Sequence, residues 1–226
     1  MVHLRHTALR LSFRPPLGSL ILHPLSSLVY NQRLYETSSG SPDEPLPAPL
    51  APIQIKRPHG ASPLYHHVPS GLVSFLPQPP TASHSATVLG RLVGQSDALK
   101  FSENSPFLEL MHTVLNAAFL TDSHVLALAR ARQCDGADGY THVFDQRQPE
   151  STRAHRGGPS ADSIIFSFLT NAEEGKPVAE TYEPNPSYRV WTPTEGFMLL
   201  PESLEKKLVE GCKIAREIEL EENVGQ

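Results

Sequence analysis

Residues 64–76 read LYHHVPSGLVSFL, an apolar run inside the most proline-rich part of the chain. Eleven of the 22 prolines lie between Pro42 and Pro80. Each removes a backbone donor and restricts the residue before it, so neither a helix nor a sheet is expected to run far. Residues 36–85 therefore read as an extended, disordered linker, with 64–76 as the exception that can dock as a short strand. His66 and His67 invite a metal reading. No carboxylate or thiolate stands near them in sequence, so the expectation is a pair of loop histidines.

Upstream of the linker the charge changes sign. Residues 1–35 hold Arg5, Arg10, Arg14 and Arg33 and no Asp, Glu or Lys, a charge of +4 in a chain of −5, which leaves −9 for the remainder. An Arg-rich, Ser-containing, acid-free N-terminus has the composition of a mitochondrial transit peptide, because a membrane potential negative inside draws cations inward. Arg33-Leu34-Tyr35 looks like a processing-peptidase site, which predicts cleavage before Glu36. The expected location is the matrix side of the mitochondrion. The longest apolar stretch, residues 17–29, is broken by His23 and Pro24 and falls short of the ~20 residues a spanning helix needs. The acidic body argues against a broad nucleic-acid surface. Two cysteines, Cys134 and Cys212, are too few for a disulfide framework and form no CxxC pair.

Downstream, residues 86–220 read as one α+β domain, with 221–226 as a flexible tail. SPFLELMHTVLNAAF places Phe107, Met111, Val114, Leu115 and Ala118 on one helical stripe, with Asn104 or Ser105 as cap and Pro106 in the first turn. TDSHVLALARAR reads as a second helix ending near Gln133, with Arg130 and Arg132 favourably placed in its last turn. YTHVFDQR and SIIFSFLT read as strands, and SYRVWTPTEGFMLL as a hairpin turning at Pro193 and Gly196. Last comes an amphipathic helix whose stripe is Leu204, Leu208, Gly211, Ala215 and Ile218. The predicted architecture is two N-terminal helices, a small antiparallel sheet, and a C-terminal helix covering one face of it.

The densest polar segment is CDGADGYTHVFDQR, residues 134–147. Asp135, Asp138, His142 and Asp145 are its candidates for catalysis. Their spacing fits no calcium loop, and on a strand His142 and Asp145 point to opposite faces. Two Asp-Gly steps suit an ordinary turn between helix and strand. His112 and His124 sit on predicted helices without a metal-binding pattern between them. Arg153 and Arg156, in STRAHRGGPS, offer contacts to an anion or single-stranded RNA, but the loop has no interleaved aromatics. No phosphate-binding or dinucleotide glycine motif occurs, so no cofactor is expected.

YTHVFDQRQPES, DSIIFSFLTN and YEPNPSYRVWTPTEGFMLLP resemble segments in the C-terminal halves of uncharacterised fungal proteins, over about residues 86–220. The resemblance implies no activity and no site residue. The expected function is that of a non-enzymatic accessory or assembly protein meeting another mitochondrial protein or complex. The alternatives are a small matrix enzyme using the 135–145 segment, and an RNA-associated factor.

Overall fold

Short apolar runs between prolines form the first sheet. The computed structural model describes residues 50–58, 60–94, 100–134, 136, 138–147 and 160–224. They belong to one compact unit, Ala48–Gln226. Strands β1 (Ile53–Ile55), β2 (Leu64–His67), β3 (Leu72–Ser74), β4 (Val88–Val93) and β5 (Lys100–Glu103) pair antiparallel in sequence order. Three of the five come from the segment expected to be a disordered linker. The prolines there, Pro52, Pro58, Pro63, Pro69, Pro77, Pro79 and Pro80, all fall outside the strands. They cut the sheet into pieces of three or four residues without entering its ladders, as proline requires. Leu64, Leu72, Val73, Phe75 and Leu76 are buried, so the folded unit begins well before Ala86.

The middle of the chain follows its periodicity closely. Helix α1 (Ser105–Ala118) buries Phe107, Met111, Leu115 and Ala118. Asn104 occupies its cap position, but its side chain makes no cap bond and donates instead to Ser85 O and Val88 O, both at 2.8 Å. Helix α2 (Ser123–Gln133) is capped by Asp122. Strands β6 (Gly139–Phe144) and β7 (Ile164–Asn171) pair antiparallel from Gly139 with Thr170 to Phe144 with Ile164. Two-residue strands β8 (Lys176–Pro177) and β9 (Glu183–Pro184) also pair with β7. Strands β10 (Trp191–Thr192) and β11 (Gly196–Phe197) form the expected hairpin, with Gly196 at φ +79° closing its turn.

The terminal helix, α3 (Glu202–Val224), runs through most of the expected tail. Its inner face packs along α1, and its burial ends early. Leu204, Leu208 and Cys212 are fully buried, whereas Ile218 is 51% exposed. At Gly211 the two helices approach so closely that a Cβ would sit 2.5 Å from Val114 Cγ2. One core joins Val73 and Leu89 of the first sheet, Phe75 just past β3, the inner faces of α1 and α3, and Val143, Phe166 and Phe168 of the second.

The architecture is therefore mixed α+β and strand-rich, with three antiparallel sheets among the described residues. The expectation of two N-terminal helices over one small sheet is corrected, because a five-stranded sheet precedes those helices. Among the described residues, no helix is long and apolar enough to cross a membrane. The expected transit peptide with Arg33 and Tyr35, the basic loop with Arg153 and Arg156, and Asp135 lie outside the described residues.

Candidate functional site

The chain segment singled out for catalysis is built into the framework. Asp138 Oδ1 accepts Ala172 N at 2.7 Å, closing the β6–β7 pair. His142 Nδ1 lies 2.8 Å from Ser167 Oγ across that same pair, with its ring edge-on to Phe144. Asp145, just past the end of β6, is buried. Its Oδ1 accepts Arg147 N at 2.8 Å and Leu199 N at 3.2 Å, and its Oδ2 accepts the Tyr188 hydroxyl at 2.5 Å. Arg147 Nε sits 3.0 Å from Oδ2, an ionic contact without hydrogen-bond geometry. The two Nη groups of Arg147 donate to Gly196 O at 3.0 Å and Arg189 O at 2.9 Å. Burial first, and the Asp145 charge second, push the Tyr188 phenol well above its ordinary range, so it remains a neutral donor. Asp145 thus clamps three chain segments together, and neither it nor His142 faces the other.

The remaining candidates are likewise committed. His66 and His67 lie on β2, not in a loop. His67 is buried, with Nε2 3.1 Å from Ser74 Oγ and 3.2 Å from Leu76 O. Burial holds both imidazoles below their ordinary pKa. Burial does the same to His112, whose Nδ1 is 2.8 Å from the Tyr182 hydroxyl. Cys212 is buried, its thiol pushed up to about 12 by desolvation, and Cys134 is exposed with Sγ 3.6 Å from Arg130 O. Among the described residues, no three His, Cys, Asp or Glu side chains gather as a metal site.

Two features escaped the sequence reading. The first is an open groove of 580 Å³ where the N-termini of α2 and α3 converge, lined by Ser123, His124, Gln146, Glu202, Ser203 and Lys206. Beside it, Asp122 Oδ1 accepts His124 N at 2.9 Å, Val125 N at 3.3 Å and Ser203 Oγ at 3.0 Å. Lys207 Nζ stands 3.7 Å from Oδ2. Serine, histidine and aspartate are all present, but the serine donates to the aspartate. A nucleophile needs its base within hydrogen-bond reach and a third group orienting that base. Here the carboxylate ties the two helix ends together, and burial lowers the His124 pKa against the opposing pull of Asp122.

The second feature is the distal half of α3. Glu219 accepts Ser85 Oγ at 2.9 and 2.7 Å on its two oxygens and Ala86 N at 2.9 Å, and it also bonds the Thr81 hydroxyl. Arg216 Nη1 donates to Pro79 O at 2.6 Å. These contacts fix the helix beyond its last fully buried residue, Cys212. At 100° per residue, Ile214 and Ile218 lie on the opposite side from Arg216 and Glu219. Both are 51% exposed. The signal for this face was the stripe itself, which includes Ile218 but does not say what covers it. No protein-family model matches the chain, and neither does any curated protein or solved structure.

Proposed function

We propose that this is a non-enzymatic mitochondrial protein of the matrix side, an accessory or assembly factor that acts through protein–protein contacts. The observation that carries the reading is the outward face of α3. Its two half-exposed isoleucines stand on a helix held in place by Glu219 and Arg216, so little ordering entropy remains to oppose docking. The commitment of Asp138, His142 and Asp145 to structural hydrogen bonds supports a role without catalysis by those groups. The Arg-bearing, acid-free composition of residues 1–35 supports the location.

Size fractionation of mitochondrial matrix extract tests it. The protein is expected in a complex much larger than its own 24.8 kDa, and unchanged by ribonuclease. Migration as a free monomer overturns the proposal. N-terminal sequencing of the mature protein should begin near Glu36, whereas an intact Met1 recovered from purified mitochondria removes the targeting claim.

A further inference from the structure

The outward face of α3 also carries a definite charge. Flanking Ile214 and Ile218 on one side of the helix surface are Glu210, Glu217 and Glu221, and Glu222 stands one turn beyond Ile218 along the isoleucine row. Glu210 is paired with Lys213 at 3.0 Å. Glu217, Glu221 and Glu222 make no ion pair among the described residues, and all are exposed. The two basic residues of this half are already engaged, Lys213 by Glu210 and Arg216 by Pro79 O. An apolar ridge at i, i+4 spacing beside unpaired carboxylates favours one kind of occupant. We propose that this face docks a basic amphipathic helix of the partner protein, an inference that rests on the protein-contact reading above.

The physical case has two parts. Two β-branched residues one turn apart form a ridge that fits between the side chains of a second helix, as in helix-to-helix recognition. The unpaired carboxylates then favour lysine or arginine beside the partner's apolar stripe and reject an acidic helix by repulsion. A second copy of this chain presents the same carboxylates and is disfavoured for that reason. Anionic membrane surfaces are disfavoured likewise.

The test uses the full chain and two synthetic helical peptides, each with leucines at i, i+4 spacing, one flanked by lysines and the other by glutamates. Fluorescence anisotropy should show the lysine peptide binding at least tenfold more tightly. Raising the salt from about 50 to 300 mM should weaken it severalfold, since exposed charge pairs are screened. Ile214→Ser with Ile218→Ser should abolish binding without moving the melting temperature, because both side chains are half-exposed in the free protein. Glu217→Lys with Glu221→Lys should reverse the peptide preference. Equal binding of both peptides, no binding of either, or binding indifferent to the isoleucine changes overturns the proposal. So does sedimentation showing a dimer that Ile218→Ser dissociates. If the peptide result fails while the native protein still runs in a large complex, the docking chemistry is wrong and the contact role stands. A protein that runs free removes the contact role itself.

Discussion

Asp145 shows how a carboxylate that draws attention in sequence can be consumed by the fold. Four donors or cations converge on it, from Arg147 N, Leu199 N, the Tyr188 hydroxyl and Arg147 Nε. Replacing it with alanine leaves Arg147 buried without its counter-charge, and breaking such a pair costs about 3–5 kcal/mol. Urea denaturation of Asp145→Ala should show a loss of that size, and a change under 1 kcal/mol would contradict the clamp. The histidines make a second residue-scale prediction. His66, His67, His112 and His124 all have folded pKa values depressed mainly by burial. Below the unfolded value of about 6.5 the unfolded chain binds more protons than the folded one. Their contribution to stability is therefore complete above about pH 6.5 and is lost as pH falls through the folded values. The ring signals of His112, followed by NMR, should titrate below about 6.5, and the melting temperature should fall between pH 7 and pH 5.

Among the elements, α3 carries the most distinctive sequence-to-packing link. Leu204 and Leu208, both fully buried in the common core, each contribute roughly 1.5–3 kcal/mol by burial. Gly211 sets the distance between α3 and α1. Alanine normally favours a helix over glycine by about 1 kcal/mol. At Gly211, however, its methyl would meet Val114 Cγ2 at 2.5 Å, and a β-branched valine in a helix has little freedom to turn away. Gly211→Ala should therefore destabilise by about 1–3 kcal/mol despite its better propensity. A double-mutant cycle with Val114→Ala checks the cause, since relief of the clash must appear as a favourable coupling between the two changes.

At the scale of the whole molecule, the first sheet is inseparable from the rest. With the segment that follows β3, it supplies Leu64, Val73, Phe75, Leu76 and Leu89 to the common core. Arg57 adds a buried bidentate pair to Glu205 of α3, at 2.8 and 3.1 Å, and Ser62 N donates to the same carboxylate. Removing residues 1–85 would expose that core, strand Glu205 without Arg57 and Ser62, and take Thr81 and Ser85 from Glu219. A chain of residues 86–226 should therefore fail to show a cooperative thermal transition, while residues 48–226 melt cooperatively. Cooperative melting of 86–226 would return the first sheet to the status of an accessory.

Local patterning by itself determined α1, α2, most of α3, strands β6 and β7 and the β10–β11 hairpin, because helical and strand periods repeat within a window of about ten residues. It also located the turn at Gly196 and the strand residues Phe166 and Phe168. What only the tertiary structure decided depends on partners distant along the chain. Strand β3 is three residues long and sits between β2, its neighbour in sequence, and β4, where Ser74 pairs with Val88 across a proline-rich loop. The β2 partner lies within 64–76, but the β1 and β4 strands that make this hairpin part of a sheet lie outside it, so proline density dominated the reading. Asp145 looked available because Tyr188 and Leu199 lie more than forty residues away. The stripe of α3 was legible, but its division was not. Leu204 and Leu208 face the common core and are fully buried, whereas Ile214 and Ile218 face away from it and stay half-exposed, because burial requires an opposing surface that only the assembled fold supplies.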